Sequence, residues 1–123
     1  MKEETVLYLS DKEEEFVSIL TKVGTQKNVA KILVFLANTA NATSRMMERG
    51  LDLRQPEVSI ALKHMAGQGW VKSSEIPSER KGRPNKQFAL ALPPRQIMAS
   101  IENAAKERME YQLGLVRKMR NYT

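Results

Sequence analysis

The stretch Ser78 to Leu92, SERKGRPNKQFALAL, places Arg80, Lys81, Arg83 and Lys86 within seven residues around Gly82 and Pro84, and then turns apolar. Like charges held this close repel one another, so the cluster is a poor stabilising device. Its chemistry suits phosphate. Ammonium and guanidinium groups displace condensed counterions from a nucleic-acid backbone and gain affinity without regard to base sequence. Gly82 permits a tight or positive-φ bend, and Pro84 lowers the entropy lost on docking. Arg83 lies between them. The plain alternative is a solubilising hairpin tip with no ligand.

A second set of candidates lies upstream in RQPEVSIALKHMAGQGW. Val58, Ala61, Leu62 and Met65 are spaced three and four apart and form the core stripe of a helix. The opposite side carries Ser59, Ile60 and Lys63, with Arg54 and Gln55 at its N-terminal end. Ile60 points an apolar, β-branched side chain away from its own core. In a major groove it would meet thymine methyl groups; otherwise it packs against the hairpin or a neighbouring helix.

The elements that must hold these residues are legible from caps and periodicity. Ser10 and Glu13 make a capping box ahead of Phe16, Val17, Ile19, Leu20 and Val23, and Gly24 stops that helix. A helix from about Gln26 to Asn38 is apolar around most of its circumference and should be the central buried one. NTANATS punctuates, Thr43 or Ser44 caps a short helix to about Arg49, and Gly50 ends it. The next helix starts near Pro56 with Gln55 as N-cap, carries Glu57 in its first turn, and ends before Gly69. WVKSSEI and KQFALAL then form a β-hairpin with a long tip. Pro93 and Pro94 break the second strand and open a last helix, Arg95 to about Asn121. The fold class is mainly α with a small β-hairpin (α+β).

Bulk properties narrow the function. The 123 residues suit one domain plus a long helix, and a net charge of +6 is unevenly spread. Residues 1–24 carry three bases against six acids, whereas residues 54–92 carry seven against three. An acidic front and a basic middle suggest one face that meets a polyanion. The absence of cysteine excludes disulfides, thiolate metal sites and cysteine nucleophiles. No metal-ligand spacing, Gly-rich phosphate loop or nucleophile–base pair stands out, so neither an enzyme nor a cofactor is implied. His64 neighbours the core stripe and suits a structural or phosphate-contacting role. The acidic N-terminus is no signal peptide, and Val29 to Ala37 is too short for a membrane span. A cytoplasmic protein is expected.

SRMMERGLDLRQPEVSIALKHMAGQGWV followed by KGRPNKQFAL resembles a winged helix–turn–helix transcriptional regulator of the MarR/ArsR/TrmB-like type, over roughly residues 26–92. The resemblance implies a winged domain at 1–92, including the N-terminal helix, and a C-terminal dimerisation helix at 93–123. It implies a double-stranded DNA partner, with the recognition helix (about 56–68) in the major groove and the wing (about 77–86) on the backbone or in the minor groove. Carried over by position, Arg54, Gln55, Ser59, Ile60 and Lys63 face base edges or nearby phosphates. Thr43, Ser44 and Arg45 touch the backbone, and Arg80, Lys81, Arg83 and Lys86 are the wing cations. The resemblance does not extend to the Cys/His sensing clusters of ArsR-type proteins or to the large effector domain of TrmB-type ones. A small-molecule effector is compatible with this build, but no residue cluster names one.

The last helix supplies a case for a homodimer. Ile97, Met98, Ile101, Ala104, Ala105, Met109, Tyr111, Leu115, Val116 and Met119 fall within an arc of about 160° at about 100° per residue. A helix of about 40 Å is longer than so small a winged core can cover, so its stripe is expected to meet a second copy. Arg108 and Gln112 sit inside the stripe, where they set register or snorkel to solvent. Two rival readings share the fold: a winged-helix adaptor that binds another protein, and a module that recognises double-stranded RNA by shape. A DNA binder should keep Lys63, Arg83 and Arg45 on one face; an adaptor should show an apolar patch there.

Overall fold

A computed structural model describes residues 8–76 and 85–123. The elements run α1 (Asp11–Val23), α2 (Lys27–Asn38), β1 (Ala42–Thr43), α3 (Ser44–Leu51), α4 (Gln55–Gly67), β2 (Val71–Ile76), β3 (Asn85–Leu90) and α5 (Pro94–Asn121). By their contacts they divide into two units, Met1–Pro93 and Pro94–Thr123.

In the first unit α2 is the hub, as its all-round apolar sequence requires. Val29, Ala30 and every residue from Ile32 to Leu36 are buried, and α1, α3, α4 and β3 all pack on this helix. The capping box of α1 forms as expected: Glu13 N–H donates to Ser10 Oγ at 3.2 Å, and Ser10 N–H donates to Glu13 Oε1 at 2.8 Å. The other carboxylate oxygen of Glu13 accepts from Asn38 Nδ2 at 2.8 Å, tying the start of α1 to the end of α2. Gly24 adopts φ 119°, a conformation open to glycine at little cost, and its N–H closes the helix on Leu20 and Thr21. Only part of the α1 apolar face is used inside the unit. Val17 and Leu20 are buried, while Phe16, Ile19 and Val23 remain exposed.

Three local expectations are corrected. Gly50 does not end α3; it is a buried residue within the helix, which continues through Leu51 because that side chain belongs to the core. The cap is Asp52 at φ 53°, a left-handed conformation that aspartate tolerates better than most residues. Leu53 then folds back into the core, its N–H donating to the Glu48 carbonyl at 3.0 Å. The N-cap of α4 is Arg54, not Gln55. The Glu57 carboxylate accepts the Arg54 N–H at 2.9 Å and fixes the start one residue earlier, so Pro56 falls at the second helical position, where no N–H is missed. Finally, the hairpin has a third strand. β1 pairs antiparallel with β3 (Ala42 opposite Phe88, Thr43 opposite Gln87), giving the order β1-β3-β2.

The hairpin base is fastened to the end of α4. Trp70 is buried; its N–H donates to the Met65 carbonyl at 2.9 Å and its own carbonyl accepts from Ala91 at 2.8 Å. Gly69, at φ 78°, makes the turn between them. α4 and β2 are therefore held in contact by main-chain bonds as well as by packing.

The second unit is α5 alone, 28 residues long and so about 42 Å. Ile97 and Ile101 are its buried residues. From Glu102 onward its side chains are exposed or half-exposed, including Met109, Tyr111, Leu113, Leu115, Val116 and Met119.

Candidate nucleic-acid interface

α4 presents two different surfaces. Val58, Ala61, Leu62 and Met65 are buried, the core stripe expected from their spacing. Arg54, Gln55, Ser59, Ile60 and Lys63 are exposed, and Ile60 keeps 66% of its surface accessible. Among the described residues, a side chain this open is not packed against a hairpin strand or a neighbouring helix.

One flank of α4 forms a wall of a groove of about 430 Å³. Gln55, Ser59 and Lys63 line it from the helix, Ser44 from the start of α3, and Lys72 and Lys86 from the two hairpin strands. Ser73 adds a hydroxyl, and Leu62, Ala66, Val71 and Phe88 form the apolar floor. At about 100° per residue, Gln55, Ser59, Lys63 and Ala66 span about 80° of the helix, so a single flank can reach the groove. Ile60 lies about 60° beyond Lys63 on the side away from the groove. The candidate surface is thus two adjoining strips: a polar, cationic groove and an outer face topped by Ile60.

Strand pairing explains how the hairpin residues arrive there. In the β2–β3 ladder, Val71 stands opposite Leu90, Ser73 opposite Phe88 and Glu75 opposite Lys86. Side chains alternate along a strand, so Val71, Ser73, Phe88 and Lys86 share one face of the sheet. Glu75, opposite Lys86, falls on the same face by alternation, although it does not line the groove. No carboxylate is among the described lining residues.

The remaining expected contacts are more dispersed. Arg45 is exposed in the first turn of α3, and Arg54 is exposed at the start of α4; neither lines the groove. Thr43 is half-buried and serves the fold, its Oγ1 accepting the Met46 N–H at 3.2 Å while its backbone pairs with Gln87. Arg80, Lys81 and Arg83, with Gly82 and Pro84, lie outside the described residues. Lys72 and Ser73 were not anticipated. Alternation along β2 marks Lys72 as an ordinary solvent-facing residue, and only the docking of the strand beside α4 brings it to the groove.

Of the expected dimer-forming residues, Ile97 and Ile101 are buried and Ala105 is half-buried, whereas Ala104, Arg108, Tyr111, Leu115 and Met119 are exposed. Among the described residues no three His, Asp or Glu side chains gather as metal ligands, and no helix is long and apolar enough to cross a membrane.

No protein-family model and no curated protein matches the sequence. Solved structures do resemble it. A MarR family regulator from Neisseria meningitidis superposes with a TM-score of 0.54 at 19% identity, over 82% of this chain and 69% of that one. MepR, a transcription regulator of the Staphylococcus aureus multidrug efflux pump MepA, gives 0.54 at 12% identity, over 83% and 73%. A transcriptional regulator homologue from Pyrococcus horikoshii gives 0.54 at 14% identity, over 82% of this chain and 97% of that one. At such identities the likeness establishes the fold: a winged helix of the kind found in MarR-family regulators, with a small three-stranded sheet and a long C-terminal helix.

Proposed function

We propose that the protein is a sequence-specific, double-stranded DNA-binding transcriptional regulator that acts as a homodimer in the cytoplasm. α4 enters the major groove, and the hairpin that begins with β2 follows the backbone or enters the minor groove. The observation that carries this reading is the convergence of Gln55, Ser59 and Lys63 with Ser44 and Lys86 around one groove free of carboxylates among its described lining residues. Two elements distant in sequence expose phosphate-binding chemistry side by side, and Ile60 stands next to them as an apolar reader of thymine methyl groups. The fold shared with transcription regulators supports the same reading.

A protein-binding adaptor would need an apolar patch at this place. Ile60 is the single large apolar residue exposed on α4, and the groove beside it is lined with lysines, so the surface favours a polyanion over a protein face.

The dimer rests on α5. Its exposed stripe from Met109 to Met119 is longer and more apolar than a lone surface helix needs, and a second copy supplies the same stripe. The acidic α1, with Phe16 and Ile19 exposed, suits a place at the dimer seam away from the phosphates. A two-fold dimer sets two recognition helices on successive major grooves, so the operator is an inverted repeat with half-sites about 34 Å apart.

Selection of bound duplexes from a random pool at two salt concentrations tests the proposal. An enriched inverted repeat is the expected outcome. Recovery of unrelated sequences at both concentrations would remove sequence-specific regulation.

A further inference from the structure

We propose that the cleft between α1 and α2 binds a small amphiphilic carboxylate, its acid group among Lys22, Lys27 and Lys31 and its apolar body against Val17 and Leu9. The proposal does not depend on the DNA-binding reading, because no residue of α4 or of the described hairpin strands lines this cleft.

The cleft has a volume of about 520 Å³, a size that suits a small organic molecule. It opens on one flank of α1, along which Glu14, Ser18 and Lys22 follow one another four residues apart. The exposed Phe16, Ile19 and Val23 lie about 100–160° around the helix from Ser18. The cleft is therefore a different surface from the bare apolar edge of α1.

Its two ends differ in chemistry. Residues 24–26 join α1 to α2, and the Asn38–Glu13 hydrogen bond ties the far ends together, so the two helices run antiparallel. Lys22 and Lys27 thus stand at the connected end, with Lys31 about one turn further along α2. Lys31 is half-buried and interrupts a run of buried residues from Val29 to Leu36. Its long stem carries the ammonium group out to the cleft. Lys27 and Lys31, four apart on one helix, repel each other, and the first turn of α2 holds no acidic residue to relieve them. Glu14 is the one carboxylate among the described lining residues. It is anchored two turns from Lys22, about 12 Å along α1, and among the described residues no ion pair joins it to any of the three lysines.

The connected end is left cationic and in need of a counter-charge. Thr21 commits its hydroxyl to the Val17 carbonyl at 2.8 Å, so Ser18 supplies the hydroxyl donor beside the lysines. Charge-assisted hydrogen bonds from these groups match a carboxylate. Toward the other end Val17 and Leu9 form an apolar wall that a bare inorganic anion would leave uncovered. A carboxylate with a hydrocarbon body uses both ends, and its single negative charge is the least opposed by Glu14.

The test titrates the full chain with octanoate, and with acetate and octanol as probes that each lack half of the chemistry, by calorimetry and amide chemical shifts. Octanoate is expected to bind at least about tenfold more tightly than either, with shifts centred on Ser18, Thr21, Lys27 and Lys31. Lys27→Gln/Lys31→Gln is expected to weaken octanoate by about tenfold or more, through loss of charge-assisted hydrogen bonds, without lowering the melting temperature. Lys12→Gln, on α1 but outside the cleft, should bind as the wild type does.

Acetate binding as tightly as octanoate would leave the apolar wall without a role and overturn the proposal. Octanol binding as tightly as octanoate would do the same for the lysines. Shifts that gather at Phe16 and Ile19 and survive the double variant would move the ligand to the other edge of α1 and overturn it, as would no binding of octanoate at millimolar concentration. Each of these results leaves the DNA-binding reading standing.

Discussion

Lys63 of α4 and Lys86 of β3, separated in sequence by a helix end, a turn and a hairpin, line one groove and are both exposed. The relationship depends on Trp70, whose main chain bonds Met65 on one side and Ala91 on the other. A cation on a helix and a cation on a wing strand become neighbours because those bonds hold the hairpin base against the end of α4.

Ile60 gives the most specific consequence of that surface. Ile60→Ala should reduce the preference for thymine at one or two operator positions by about 1 kcal/mol, the value of one or two buried methylene groups. Replacing thymine by deoxyuridine at those positions should weaken the wild type several-fold and leave the variant unaffected. Because Ile60 is largely exposed, thermal stability should stay within about 0.5 kcal/mol of the wild type.

Thr43 has a measurable task in the fold. Its hydroxyl caps α3, so Thr43→Ala should cost about 1 kcal/mol of unfolding free energy, and Thr43→Ser should restore most of it. Urea denaturation of the two variants checks this. Equal stability of all three proteins would assign the hydroxyl to the surface alone.

Asp52 occupies left-handed backbone at φ 53°. Asp52→Gly should be neutral or stabilising, and Asp52→Val should cost about 1–2 kcal/mol, because a β-branched side chain crowds the carbonyl there. Thermal melts of the pair would show the order, and a more stable valine variant would contradict the conformation.

Much of this was legible in the sequence, and the exceptions share a cause. The stripe Val58, Ala61, Leu62 and Met65, the apolar girth of α2 and the Ser10/Glu13 box depend on neighbours within one or two turns, so spacing alone reveals them. β1 is only two residues long and exists because Phe88 and Gln87 of β3 offer a free edge; nothing in Ala42–Thr43 announces it. Gly50 looks like a helix stop until the burial of Leu51 is known. Lys72 reads as solvated because its place at the groove depends on which helix the strand docks beside. Local pattern carries local structure, and contacts between distant segments need the fold.

The exposed stripe of α5 is the proposed dimer seam. Leu115→Glu with Met119→Glu should turn a dimer into a monomer by light scattering at tens of micromolar, with helical content largely retained. Operator affinity should fall by more than tenfold, because two half-sites are no longer linked. A wild type already monomeric would remove the two-fold operator.

The central claim is that the α4–hairpin face meets a duplex, and amide chemical-shift mapping of the full chain with its selected duplex tests it most directly. The shifts are expected to concentrate at Ser44, Gln55, Ser59, Ile60, Lys63, Ser73 and Lys86, leaving α1 nearly unmoved. Perturbations confined to α1, with that face silent, would contradict it.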